Sequence, residues 1–169
     1  MTPANLIISA SCDADRRPNP APINNGAPWD RDLKADLAAI KRSGAILLIT
    51  LMEEHEFAML CVSNLEAEAK AAGLEWRHLP IVDVSIPDER FEFAWPTVRQ
   101  EVLEALVDGG RAVFHCRGGL GRTGLAAARF LVETGRQPDA AISIVRNARP
   151  DAIETSEQED HIRNLIPRI

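Results

Sequence analysis

Residues capable of nucleophilic and anion-binding chemistry crowd into ten consecutive positions, His115-Cys116-Arg117-Gly118-Gly119-Leu120-Gly121-Arg122-Thr123-Gly124. A short apolar run, Ala112-Val113-Phe114, leads into them, and an Ala-rich stretch, 125–130, leads out. A strand, a glycine-rich loop and a helix N-terminus in that order make an anion cradle. Backbone N–H groups converge on one anion, and the helix dipole favours negative charge there. The backbone of Arg117, Gly118, Gly119, Leu120, Gly121 and Arg122 is the expected cradle. No Gly-Lys-Ser/Thr is present, so a nucleotide-triphosphate loop is excluded.

Cys116 opens the turn and Arg122 closes it. Thiolate, not thiol, is the nucleophile, and loop amides, a helix N-terminus and a guanidinium all favour it. Arg122 offers a planar fork matching two phosphate oxygens, which lysine cannot reproduce. Thr123 can hydrogen-bond the sulfur and stabilise it as a leaving group. His115 is placed to brace the loop rather than to act as a base, since a thiolate needs none. Arg117 points to solvent and adds some steering charge.

The elements that must position this loop are legible from pattern. Residues 5–10 read as a first strand, and 11–28, punctuated by Pro18, Pro20, Pro22, Gly26 and Pro28, as a long surface loop. Asp30 caps a helix bearing Leu33, Leu37 and Ile40, which ends near Ser43-Gly44. The continuous apolar run 45–50 is a strand buried on both faces. Glu53, Glu54, His55 and Glu56 open a short, solvated helix. Ser63 caps another that runs to Ala72 and stops at Gly73. Residues 75–82 form a further strand and 83–96 a loop. A helix carrying Val98, Val102 and Leu106 then precedes the strand that feeds Cys116. Helices over about 122–134, 138–148 and 155–166 complete the chain. Alternating strands and helices predict an α/β fold, with a mainly parallel central sheet flanked by helices and residues 1–169 forming a single domain. Ligands of such sheets bind outside the carboxyl ends of the strands, where Cys116 stands.

From His115 to Gly124 the chain resembles, without a gap, the His-Cys-x-x-Gly-x-Gly-Arg-Thr-Gly signature of the cysteine-dependent protein phosphatases. The 80–87 loop and the Ala-Ile-Glu-Thr-x-x-Gln segment at 152–158 are most similar to the kinase-associated-phosphatase branch of the dual-specificity group. The resemblance implies that Cys116 attacks phosphorus and that a carboxylic acid on a separate loop protonates the leaving oxygen. Water then releases the phospho-cysteine. The family's Asp-x-x-x-Pro pattern falls on Asp83 and Pro87, with Asp88 in the same loop as the rival acid. Gln158 matches a glutamine that family members use near the attacking water, although Thr155-x-x-Gln158 also reads as a capping box. The resemblance implies phosphorylated protein substrates, carrying phosphotyrosine and also phosphoserine or phosphothreonine, with no metal and no cofactor. The alternatives are a phosphoinositide or inositol-phosphate phosphatase, a rhodanese-type sulfur-transfer loop and a phosphate-binding module without turnover. The signature loop lacks the added lysines of the phosphoinositide class, and its Arg-Thr ending departs from the rhodanese type.

Bulk properties narrow the partners. At 169 residues, 46% apolar and 26% charged, the chain is an ordinary globular length and composition. The net charge of −6 argues against nucleic acid or an acidic membrane as partner. No apolar run nears the roughly 18 residues of a membrane span, and the first ten residues lack the basic start of a secretory signal. Cys12, Cys61 and Cys116 form no disulfide framework, which favours a reducing, cytoplasmic setting. Cys61 is expected to pack as a small hydrophobe on a helix, and His78 and His161 to face the surface.

Overall fold

A computed structural model describes residues 6–10 and 32–167. The expected 11–28 loop, the Asp30 cap and Cys12 lie outside the described residues. Four parallel strands, β1 (Leu6–Ala10), β2 (Ala45–Thr50), β3 (Glu75–His78) and β4 (Arg111–Cys116), form one sheet in the order β1-β4-β2-β3. Seven helices are described: α1 (Leu33–Arg42), α2 (Glu54–Met59), α3 (Leu65–Ala71), α4 (Glu89–Val107), α5 (Gly121–Glu133), α6 (Pro138–Ala148) and α7 (Ser156–Arg163). The parallel α/β expectation holds.

The central strands are apolar because helices cover both their faces. Leu47, Leu48 and Ile49 of β2 and Ala112, Val113 and Phe114 of β4 are all buried. In register, Leu48 pairs with Val113 and Thr50 with His115, so the ends of β2 and β4 lie side by side. β1 flanks β4 on the other side, with Ala10 opposite Cys116. Cys116 therefore leaves the sheet from its middle.

Three boundaries differ from the pattern reading, each for a physical reason. The strand expected over 75–82 is assigned only to His78. Pro80 has no N–H to give a ladder, although Leu79 and Ile81 still donate to the carbonyls of Thr50 and Leu51. The loop expected over 83–96 ends at Asp88, and Pro96 lies inside α4. Phe91, Trp95, Val98 and Val102 are buried along that helix, and this packing outweighs the hydrogen bond that the proline forgoes. Caps also shift. Asp32 caps α1 by accepting from the amides of Lys34 and Ala35, and Asn64 rather than Ser63 precedes α3. Gly73 does end that helix, at φ 77°.

Helix α5 is the centrepiece, with all thirteen of its residues buried. Its small residues Ala126, Ala127 and Ala128 let neighbours approach closely. Its two long charged residues beyond the loop are neutralised in place: Arg129 pairs with Glu92 and Glu133 and lies 5.3 Å from the ring centres of both Phe91 and Trp95. Trp95 donates its indole N–H to Glu133 at 3.0 Å, which ties α4 to α5.

Two glycines of the signature have opposite packing. A Cβ on Gly124 would stand 2.8 Å from the Ile153 nitrogen and 2.9 Å from the Ala152 Cβ, whereas one on Gly118 would meet nothing within 4 Å. Gly124→Ala is expected to lower the unfolding free energy by about 1–3 kcal/mol, the usual cost of overpacking. Gly118→Ala should stay within about 0.5 kcal/mol of the parent in the same urea titration.

Candidate active site

The loop between β4 and α5 turns on Gly119, whose φ of 68° suits a residue without a Cβ. That turn points the Gly119 N–H back at the Cys116 sulfur, 3.2 Å away. Cys116 is itself buried, at 2% exposure. Arg117 and Leu120 are half-buried and Gly118 is exposed at the loop's tip.

Arg122, on the first turn of α5, has a side chain only 2% exposed. Glu56 of α2 meets it as a fork, Nη1 donating to Oε2 at 2.5 Å and Nη2 to Oε1 at 2.9 Å. Nη1 also reaches the Ile81 carbonyl at 3.4 Å, and Nη2 lies 3.1 Å from Asp83 Oδ1. Burial opposes the charge on Arg122, but Glu56, Cys116 and Asp83 outweigh it and raise the guanidinium's pKa. Burial likewise opposes ionisation of Glu56, yet the bonds from Arg122 and from the Glu53 amide hold its pKa below the ordinary carboxylate value of 4.5. Sequence reasoning missed Glu56, reading 53–56 as a solvated helix start. The local signal present was capping: Glu56 accepts from the Glu53 amide at 2.8 Å, three residues back.

Of the two candidate acids, the structure brings Asp83 to the arginine. Its side chain is 54% exposed, and it also accepts from the Val84 amide at 3.2 Å. Val84 is β-branched and sits at φ 52°, a strained conformation of the kind that collects at functional loops. Asp88 is instead the N-cap of α4. It accepts from the amides of Arg90 and Phe91 and pairs with the Arg90 guanidinium at 2.7 Å, and these contacts, led by the Arg90 bond, lower its pKa.

Behind the loop, His115 is fully desolvated. Its Nε2 lies 2.6 Å from Thr50 Oγ1, which already accepts the Trp76 indole N–H at 2.8 Å. Thr50 Oγ1 thus bridges the His115 ring and the Trp76 indole, and either its proton or its second lone pair faces Nε2 according to the ring's tautomer. Burial first, then the charges of Arg122 and His78, push the His115 pKa down to about 4. The sequence suggested that His115 braces the loop backbone, and the ring here meets the Thr50 side chain at the end of β2.

Two other expectations change. Among the described residues the Thr123 hydroxyl is buried without a hydrogen-bond partner, so the expected bond to the sulfur is not made, while the Gly119 amide does reach that sulfur. Gln158, fully buried, makes half of the capping box: its amide donates to Thr155 Oγ1, but its side chain turns elsewhere. Oε1 accepts from the Glu154 amide at 3.1 Å and Nε2 donates to the Ser85 carbonyl at 3.0 Å, which ties the Asp83 loop to the 152–158 segment. A second residue that sequence reasoning missed is Glu154, whose carboxylate takes the Gly121 N–H at 2.7 Å.

The remaining singled-out residues lie away from this chemistry. His78 is half-buried, stacked on Trp76 at 5.7 Å and bonded to the Met52 carbonyl at 2.7 Å. His161 is half-buried, and burial, with help from Arg129, lowers its pKa. Both depart from the expected surface positions because flanking helices and strands cover them. Cys61 is exposed just past the end of α2, at φ 57°, rather than packed. Among the described residues no group of three or more His, Cys, Asp or Glu side chains could hold a metal ion, and no helix is long and apolar enough to cross a membrane.

A buried cysteine under a loop amide, a forked arginine and an adjacent aspartate thus stand together at the carboxyl end of a parallel strand. The family model described as "Polymorphic toxin system, DSP-PTPase phosphatase" matches residues 24–136, more than half of the chain, and the chain belongs to that family. It is 29% identical over 142 residues to Cyclin-dependent kinase inhibitor 3 of Rattus norvegicus, covering 82% of this chain and 66% of that protein. It is 33% identical over 126 residues to Protein tyrosine phosphatase domain-containing protein 1 of Danio rerio, covering 68% of this chain and 17% of that protein. The chain thus spans just under two thirds, or far less, of these relatives' lengths. Among solved structures it is similar to kinase associated phosphatase carrying serine for its catalytic cysteine, at 27% identity and TM-score 0.70, covering 78% of this chain and 74% of that one. Tk-PTP in its active form follows at 27% identity and TM-score 0.67, covering 85% and 89%.

The buried charges set two expected outcomes. Glu56→Ala strands the Arg122 guanidinium and should cost about 3–5 kcal/mol of stability by urea unfolding; a loss under about 1 kcal/mol would show that Arg122 does not depend on it. Acid should also destabilise the fold. Between pH 6.5 and about 4 the unfolded chain protonates His115 while the native chain does not, so stability falls as the pH is lowered through that window. The Glu56 contribution, present above 4.5, is lost below it as the pH passes the depressed folded value. An NMR titration of the His115 ring should show a midpoint near 4, and a midpoint near 6.5 would contradict this.

Proposed function

We propose that this chain hydrolyses phosphomonoesters on phosphoproteins through a cysteinyl-phosphate intermediate, as one phosphatase domain using no metal. The observation that carries the reading is the 3.1 Å approach of Asp83 to Arg122, on the helix that begins at the loop holding Cys116. It sets a carboxyl group beside the group that would clamp the phosphate.

In the first step the Cys116 sulfur attacks phosphorus, the ester P–O bond breaks and Asp83 gives its proton to the departing oxygen. In the second, Asp83 takes a proton from water, the water oxygen bonds phosphorus, and the S–P bond breaks to leave thiolate and inorganic phosphate. Arg122 and the loop amides would stabilise charge on the equatorial oxygens. Gln158 supports Asp83 by holding the loop at Ser85. A chain with no tyrosine and a short Asp83 loop favours a shallow pocket, open to phosphotyrosine and to phosphoserine or phosphothreonine. The net charge of −6 favours a protein over a nucleic acid or membrane partner, and the scattered cysteines a cytoplasmic setting.

Cys116→Ser is expected to abolish hydrolysis of an aryl phosphate with an unchanged circular dichroism spectrum; substantial residual turnover would refute the nucleophile. Asp83→Ala should lower kcat by about 10²–10⁴-fold, more steeply for poor leaving groups. If Asp88→Ala shows that leaving-group dependence instead, the acid is wrongly assigned. A panel of phosphotyrosine peptide, phosphothreonine peptide and phosphoinositide tests the substrate class.

A further inference from the structure

The Gly121 N–H belongs both to the loop expected to cradle phosphate and to the first turn of α5, yet it is given to a carboxylate. Glu154 Oε2 accepts it at 2.7 Å. The contact is built rather than incidental. A Cβ on Gly121 would stand 2.3 Å from that oxygen, so a larger residue here would push the end of the Glu154 side chain aside. The segment presenting Glu154 is pinned on every side. Its amide donates to Gln158 Oε1, and the Ile153 amide donates to the Leu120 carbonyl at 3.4 Å. Arg146 donates to the carbonyls of Ala152 and Ile153 at 3.1 and 3.2 Å. Asp151 and Ile153 hold left-handed backbones, φ 65° and 64°, to make the turn.

The charges around the cradle give this contact its meaning. Arg122 already faces two carboxylates, Glu56 at 2.5 Å and Asp83 at 3.1 Å. Glu154 adds a third negative group at the loop itself and occupies one of its donors. A phosphate dianion entering the cradle meets fewer free amides and more negative charge than the loop's own residues suggest.

We propose that Glu154 is an anionic counterweight that weakens the cradle's hold on phosphate and so limits retention of the inorganic phosphate product. The inference rests on the phosphatase reading for its purpose, but not for its measurement. A like charge disfavours a neighbouring anion, by an amount that solvent screens because Glu154 is itself exposed.

Glu154→Gln keeps the shape and an oxygen for the Gly121 amide while removing the charge. Calorimetry with inorganic orthophosphate, which needs no turnover, should show its Kd falling about two- to fivefold at pH 7, the size of a solvent-screened charge interaction. Competitive inhibition by orthophosphate during aryl-phosphate hydrolysis should tighten in parallel, and KM should fall. Glu154→Ala should tighten binding too, since the charge is gone there as well. A purely structural brace predicts the opposite sign, so unchanged or weaker orthophosphate binding in Glu154→Gln, with the melting temperature preserved, overturns the proposal. A kcat loss of 100-fold or more with unchanged Kd also overturns it, because Glu154 would then act in the chemistry. Tighter binding without any hydrolysis in the parent would sustain the counterweight and sink the phosphatase reading instead.

Discussion

A guanidinium buried to 2% exposure cannot stand alone, and the site is arranged around that constraint. Arg122 must be charged to serve an anion and desolvated to serve it strongly, so its charge has to be held by protein groups before any ligand arrives. Glu56 supplies a forked pair from α2, the Ile81 carbonyl a further acceptor, and Asp83 a second carboxylate from the loop before α4. Two separate segments, α2 and the loop before α4, thereby converge on the first turn of α5. The asymmetry between the carboxylates is informative. Glu56 is as buried as the arginine and bonded to a backbone amide, which suits a fixed positioning residue. Asp83 is half-exposed on a strained loop, which suits a group that exchanges protons with solvent and substrate.

The rest of the architecture keeps α5 and its loop from moving. From below, Trp76, Thr50 and His115 link β3, β2 and β4 by hydrogen bonds, with a buried imidazole near the terminus of the strand that carries Cys116. From the side, the 151–155 turn lies so close to α5 that a Cβ on Gly124 would meet the Ile153 nitrogen at 2.8 Å. Gln158 connects that turn to the Asp83 loop, so the two segments that bring carboxylates to the loop share one buried side chain. At the far end of α5 the Arg129, Glu92, Glu133 and Trp95 cluster repeats the same solution, a buried arginine neutralised by acids and stacked beside aromatic rings.

Chemistry written in consecutive residues was legible in the sequence by itself. The run from His115 to Gly124 reads as thiol, guanidinium and amide cradle because loop, strand and helix geometry are local, and the apolar run 45–50 reads as a buried parallel strand for the same reason. Contacts that join distant segments were not legible. Glu56 lies 66 residues from Arg122, and its sequence neighbours mark only a helix start. Asp83 and Asp88 share one loop and one residue type; folding separates them by turning Asp88 into a helix cap and aiming Asp83 at the arginine. Pro96 argued for a loop until tertiary burial of its helix outweighed it. Gln158 and Glu154 gained their contacts only when the last turn packed on α5. Local pattern determined which reaction the loop can attempt, because backbone amides and a thiol need only their own neighbours. Tertiary structure decided which acids surround it, because a buried charge takes its partners from whatever the fold brings within reach.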